Sequence, residues 1–261
     1  MIENDDFNII NSDIIHLELH QCGQLSNYKL AEILSKFTNL KILRITDLSN
    51  CNRLNNNIIK EINSKYKKLD ELRLSYCYKI TDQIKLKVDV INLYLDETRI
   101  TEKFYKKKDL KILSIDRCIN IDKLICKYDN LEILSADGIT TLNNIHAKKL
   151  KCLNASNCFG LIKWIKKSDN ILFEKLDISF LSFNSYDFLF NCRNLKELNL
   201  SWCDNITDEL ITNIIYKTNI EKLTLFGCFN LTSKVAKLSY EKKDKITVIG
   251  NPSETKFLVN S

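Results

Sequence analysis

NLKELNLSWCDNITDEL, residues 194–210, is the phrase from which the fold of this chain is read. Leu195, Leu198 and Leu200 are followed by Cys203 and Ile206, a spacing of L-x-x-L-x-L-x-x-C-x-x-I. The same phrase returns about ten times between Ile14 and Leu231, with cores at Leu17, Leu43, Leu72, Leu93, Leu113, Leu134, Leu153, Leu176, Leu198 and Leu223. Two residues after each stands a second apolar residue: Leu19, Ile45, Leu74, Leu95, Ile115, Ala136, Ala155, Ile178, Leu200 and Leu225. A period of two marks a strand that hides one set of side chains and turns the others outward. Strands recurring every 19 to 29 residues define a solenoid, in which each repeat buries its apolar edge only by stacking on its neighbours.

The unequal spacing predicts unequal convex connections. The long repeats leave room for helices over 28–37, 58–66 and 208–216, the last opened by Thr207 as N-cap with Asp208 and Glu209 in its first turn. The short central repeats, from about Val90 to Leu172, are predicted to cross the convex side in 3₁₀ turns or extended chain. Ile246, Val248 and Ile249 predict one further edge strand. The expected organisation is a lead-in or cap over 1–13, a solenoid over 14–250 with a parallel concave sheet of ten to eleven strands, and a tail over 251–261.

With one proline and five glycines in 261 residues, nothing marks an internal linker, and a single continuous body is expected. The net charge of +6 is mild, and the densest lysine clusters lie between repeat phrases, where solvated convex loops explain them. The acidic start MIENDDFNII is unlike a secretory signal, and no apolar run is long enough to span a membrane. Cys22, Cys77, Cys118, Cys158, Cys203 and Cys228 share one repeat position and read as buried thiols of a reducing compartment, cytoplasm or nucleus. Cys126, Cys152 and Cys192 lie off that position and are also expected to be buried.

The phrase is fullest in LDELRLSYCYKITD, residues 69–82, and LKELNLSWCDNITD, residues 195–208. This resembles the cysteine-containing leucine-rich repeats of F-box/LRR ubiquitin-ligase subunits, of antagonist-of-mitotic-exit proteins and of the LRR subunit of the yeast nucleotide-excision-repair complex. The resemblance implies an α/β leucine-rich-repeat horseshoe with irregular convex helices. It further implies a recognition subunit in a ubiquitin-ligase-like or cell-cycle regulatory assembly or, alternatively, an accessory subunit in DNA repair. Because the repeats start at Ile14, the F-box that ligase subunits place first is not seen. A cullin adaptor therefore remains a candidate partner without its usual docking module.

Two columns cross the strands on the expected concave face. The first is His20, Thr46, Ser75, Asp96, Asp116, Asp137, Ser156, Ser179, Ser201 and Phe226. The second is Gln21, Asp47, Tyr76, Glu97, Arg117, Gly138, Asn157, Phe180, Trp202 and Gly227. Carboxylates on strands about 4.8 Å apart repel by roughly 1 to 3 kcal/mol, which a basic partner segment would relieve at Asp96, Asp116 and Asp137. Phe180, Trp202 and Phe226, with Tyr76 and Tyr94, are the aromatic candidates for a protein interface. Solvation of the aspartates, and packing of Phe180 and Trp202 on residues 183–190 or the tail, are the alternatives.

No chemistry of catalysis or ligation is expected. His16 and His20 on one strand would be about 13 Å apart, too far to share a zinc at roughly 2 Å from each. His146 has no evident nucleophile or carboxylate companion, and no glycine-rich phosphate loop occurs. The sequence thus predicts a non-enzymatic protein-binding module without cofactor or metal, a monomer within a complex. Neither a membrane nor direct contact with nucleic acid is expected.

Overall fold

A computed structural model describes residues 13–20, 25–46, 54–105, 109–124, 128–167, 172–241 and 246–250. Among them eleven strands form one parallel sheet in chain order. These are β1 (His16–His20), β2 (Ile42–Thr46), β3 (Lys68–Arg73), β4 (Asp89–Tyr94), β5 (Ile112–Ser114), β6 (Ile133–Ser135), β7 (Cys152–Asn154), β8 (Lys175–Asp177), β9 (Glu197–Asn199), β10 (Lys222–Thr224) and β11 (Thr247–Ile249). Every predicted core leucine falls in a strand, and they lie in register from Leu17 through Leu43, Leu72 and onward to Leu223 and Val248. Leu43, Leu72, Leu93 and Leu223 are fully buried. Truncating one of them to alanine is expected to cost about 2–5 kcal/mol.

The ladder runs past the strands into the turns. The N–H of Leu74 donates to Tyr94 O, and that of Tyr76 to Asp96 O; Ile178 to Asn199 O and Phe180 to Ser201 O repeat the pattern. The convex side carries α1 (Asn27–Ser35) and α2 (Asn57–Lys65), packed on each other, and α4 (Asp208–Lys217) and α5 (Ser233–Glu241), likewise paired. Three of these were predicted; α5 was not. Thr207 caps α4 by accepting from the Leu210 N–H at 3.2 Å. In the centre, an isolated parallel bridge between Leu124 and Ile145 is the expected extended crossing. The prediction of no helix there is corrected at one repeat, where a 3₁₀ turn at Phe159–Leu161 runs into the six-residue α3 (Ile162–Lys167). The proposed lead-in, except Asp13, and the proposed tail lie outside the described residues.

Two repeated letters owe their place to the neighbouring repeat. The buried thiols of Cys118, Cys158, Cys203 and Cys228 donate to Leu95 O, Ala136 O, Ile178 O and Leu200 O, each one repeat earlier, at 2.7 to 3.3 Å. Burial pushes these thiols up, to about 11 for Cys118 and about 12 for Cys158 and Cys203, so they stay protonated donors. Cys77 and Cys192 are buried too, whereas Cys22 and Cys126 lie outside the described residues. Cys152 corrects the expectation of burial, being half-exposed on the concave face. The aspartate of the I-T-D ending also reaches forward: Asp208 accepts from the N–H and hydroxyl of Thr232, and Asp82 from those of Thr101.

Candidate functional site

Two rows of side chains face the concave side from the strands. The residue between the two buried apolar positions runs Glu18, Arg44, Arg73, Tyr94, Ser114, Ser135, Asn154, Asp177, Asn199, Thr224. The residue before the core leucine runs His16, Ile42, Glu71, Asn92, Ile112, Ile133, Cys152, Lys175, Glu197, Lys222. The N-terminal part of this face is closed by its own charges. Arg44 contacts Glu71 at 2.6 Å and Glu18 at 3.6 Å, and Arg73 meets Glu71 at 3.7 Å. The Arg73 guanidinium also lies 4.0 Å from the centre of the Tyr94 ring, so a cation of the chain itself already covers that candidate.

His16 and His20, expected to be far apart, both reach the Glu18 carboxylate, at 3.7 and 2.8 Å. Among the described residues no group of three or more His, Cys, Asp or Glu is arranged to hold a metal. The C-terminal part of the concave face is open. A groove of about 390 Å³ lies over β6 to β10, lined by Ile133, Cys152, Asn154, Lys175, Asp177 and Lys222. Within it, Lys175 pairs with Glu197 at 2.6 Å.

The first column is corrected from a strand face to the turns beyond it. Its serines are buried rather than open: Ser75, Ser156, Ser179 and Ser201 all fall in the core. Parallel pairing leaves the N–H of this turn position without a ladder acceptor, and buried N–H groups need one. Asn154, Asp177 and Asn199 supply it within their own repeats, to Ser156, Ser179 and Ser201 at 2.9 to 3.1 Å. Ser114 and Ser135 donate their hydroxyls to the preceding aspartates instead. There the preceding aspartate reaches across: Asp96 accepts from the Asp116 N–H at 3.0 Å, and Asp116 from the Asp137 N–H at 2.8 Å. Asp96 also accepts from the Ser75 and Ser114 hydroxyls, and Asp116 from that of Ser135. Burial raises the Asp116 carboxyl above the ordinary carboxylate range, partly offset by its bonds from Ser135 and Asp137. The Asp137 carboxylate accepts instead from the Asn157 side-chain amide at 3.3 Å.

The second column is a line of left-handed residues on the rim. Tyr76, Glu97, Arg117, Asn157, Phe180 and Trp202 all have φ between 55° and 66°, and Gly138 and Gly227 share the position. A side chain there costs roughly 1–2 kcal/mol relative to right-handed backbone, which glycine avoids. Phe180 and Trp202 occupy it while 43% and 49% exposed, their rings 6.0 Å apart and 9° from parallel. Phe226 is 49% exposed, and Phe229, which the sequence reading passed over, is 69% exposed with its ring 5.8 Å from Trp202. Its regular offset from Cys228 in the repeat phrase was the available signal. The aromatics of residues 183–190 do not cover this ridge: Phe183 packs on Tyr186 and Phe188 instead.

Gly227 on the rim, and Gly250 after β11, act as seats. A β-carbon at Gly227 would meet Trp202 Cδ2 at 2.3 Å, and one at Gly250 would meet Phe226 Cδ1 at 2.7 Å. Each of these rings therefore packs against the backbone of the next repeat. His20 and Thr46 end β1 and β2, and Gln21 and Asp47 lie outside the described residues.

A single parallel sheet of L-x-L strands, helices and extended crossings opposite it, and cysteines bonded between repeats define a leucine-rich-repeat horseshoe. Among solved structures, a chain in the crystal structure of the yeast Rad7 and Elc1 complex has this fold, with a TM-score of 0.50 and 17% identity over 91% of this chain and 74% of that one. At that identity the likeness concerns the fold. No family model and no curated protein matches the sequence. Among the described residues no helix is long and apolar enough to cross a membrane.

Proposed function

We propose that this chain is a non-catalytic protein-interaction module, the recognition subunit of a ubiquitin-ligase-like or cell-cycle regulatory assembly in the cytoplasm or nucleus. The observation that carries the reading is the exposed pair Phe180 and Trp202, held in left-handed backbone that glycine would occupy without strain. Exposed aromatics retained at such positions are typical anchors of protein interfaces. The contact surface comprises Tyr76, Phe180, Trp202 and Phe226 on the rim, Tyr94 on the concave face, and the carboxylate of Asp137. Asp96 and Asp116 sit in the same surface, with a ladder role of their own.

The second reading is an accessory leucine-rich-repeat subunit in nucleotide-excision repair. The fold likeness to a chain of the yeast Rad7 and Elc1 complex favours it. Affinity purification of the tagged full chain from its own cells, compared with a Phe180→Gly/Trp202→Gly variant, tests the common part. Partners lost from the variant but present with the wild type are expected. An identical partner set would refute the interface, and the identity of the partners chooses between the assemblies. If DNA were the direct ligand, affinity would fall steeply with added salt.

A further inference from the structure

We infer that the ridge of Phe180, Trp202, Phe226 and Phe229 receives an extended, arginine-bearing segment of the protein partner, its guanidinium groups packing on the exposed rings. This rests on the reading of the chain as a protein-interaction module and specifies the chemistry recognised.

The rest of the molecule shows how its own rings are treated. Arg73 lies over Tyr94 at 4.0 Å, Lys166 over Phe183 at 5.7 Å and Lys217 over Phe190 at 5.6 Å. Among the described residues no lysine or arginine lies over any of the four ridge rings. The turns that build the ridge, residues 179–183, 201–206 and 226–231, contain neither lysine nor arginine, although the chain as a whole carries a charge of +6. The charge they hold is Asp204, exposed beside the ridge and accepting from the Ser182 hydroxyl at 2.6 Å. An aromatic strip whose turns hold Asp204 and no lysine or arginine complements a cationic segment. It offers no counter-charge to phosphates, which disfavours a nucleic acid stacking on the same rings.

The geometry sets the spacing. Phe180 and Trp202 stack nearly parallel with centres 6.0 Å apart, and Gly227 and Gly250 back Trp202 and Phe226. Two residues of extended chain advance about 6.6 Å, so arginines at alternate positions match successive rings. Arginine fits better than lysine because its planar head stacks on an aromatic face.

The test uses the full chain in a Trp164→Phe background, which leaves Trp202 as its one indole. Three probes are titrated: a short peptide with arginine at alternate positions, the same peptide with citrulline, and a single-stranded oligonucleotide. Labelled-peptide anisotropy follows the variants that lack the indole. A saturable change in Trp202 fluorescence with the arginine peptide is expected, with affinity about tenfold weaker for citrulline and for Trp202→Gly. Because glycine suits the left-handed backbone, circular dichroism and Tm of Trp202→Gly should stay near those of the parent. Equal affinity for citrulline, or binding indifferent to Trp202→Gly, overturns the proposal. So does preference for the oligonucleotide, self-association through the ridge that the arginine peptide does not dissolve, or no binding at millimolar peptide. If partners are nevertheless captured through Phe180 and Trp202, the interaction module stands and only the arginine assignment falls.

Discussion

The indole of Trp202 rests on the α-carbon of Gly227, so closely that a β-carbon there would stand 2.3 Å from Trp202 Cδ2. Gly227 also has φ +69°, where any side chain is strained. Gly227→Ala is therefore expected to lower stability by about 2–3 kcal/mol and to lift the indole from its seat. Denaturant unfolding measures the first effect and a shift in Trp202 emission, in the Trp164→Phe background, the second. An unchanged emission would mean that the glycine does not position the ring.

Gly160 tests the fold by a different mechanism, since its backbone is not left-handed. A β-carbon there would meet Leu142 O at 2.3 Å and Thr140 O at 3.0 Å, both backbone atoms that cannot swing aside. Gly160→Ala should cost about 2–3 kcal/mol by overpacking, read as a lower midpoint in urea. Wild-type stability in this variant would show that the turn over residues 140–142 yields more easily than its packing implies.

Asp116 separates a ladder role from a charge role. A carboxyl whose folded pKa lies above its unfolded one favours the fold when protonated, so stability is lost as pH rises through the folded value and the group ionises. Asparagine at 116 keeps an oxygen for the Asp137 N–H and never ionises. Asp116→Asn should thus gain stability relative to the wild type between acidic and neutral pH. Asp116→Ala, which leaves that N–H unpaired, should lose about 1–3 kcal/mol throughout. Urea titrations of both variants at the two pH values decide it, and equal losses for Asn and Ala would sink the assignment.

The cysteines divide by position. Thiol labelling of the native protein, mapped by mass spectrometry, should modify Cys152 ahead of Cys77, Cys118, Cys158, Cys192, Cys203 and Cys228, because Cys152 alone among these is half-exposed. Burial raises the Cys152 thiol as well, so its labelling should be slow at neutral pH and faster in base. Faster labelling of any repeat-position cysteine would contradict the inter-repeat S–H bonds.

Asp208 gives the repeated I-T-D ending a measurable role. Its carboxylate accepts from the Thr232 N–H at 2.8 Å, joining the start of α4 to the next repeat. Asp208→Ala is expected to cost about 1–2 kcal/mol, much as loss of a cap does. Asp208→Asn should retain most of that, because the amide oxygen still accepts the N–H bond.

Much of this architecture was legible before any coordinates. Leu198 and Leu200 mark a strand by their spacing alone, and Thr207, Asp208 and Glu209 mark a helix start, because both signals act between residues close in the chain. The hydrogen bonds of Asp96 and Asp116 were not legible for the opposite reason. Their spacing placed them in one column, and from there they looked like an open acidic row. Nothing local says that the Ser114 and Ser135 hydroxyls are donated to the preceding aspartates, which in turn accept from the Asp116 and Asp137 N–H groups. Phe229 was passed over likewise, since its contact with Trp202 comes from the preceding repeat.

The sequence by itself determined a stack of parallel strands with leucines in register, because burial at a period of two is a property of a few consecutive residues. Only the tertiary structure decided which polar side chains serve the neighbouring repeat and which remain outward. Those hydrogen bonds and ring contacts join residues one repeat apart, brought within a few ångströms by stacking. Asp116 was thereby assigned to the ladder, and Phe180, Trp202, Phe226 and Phe229 to an exposed ridge seated on Gly227 and Gly250.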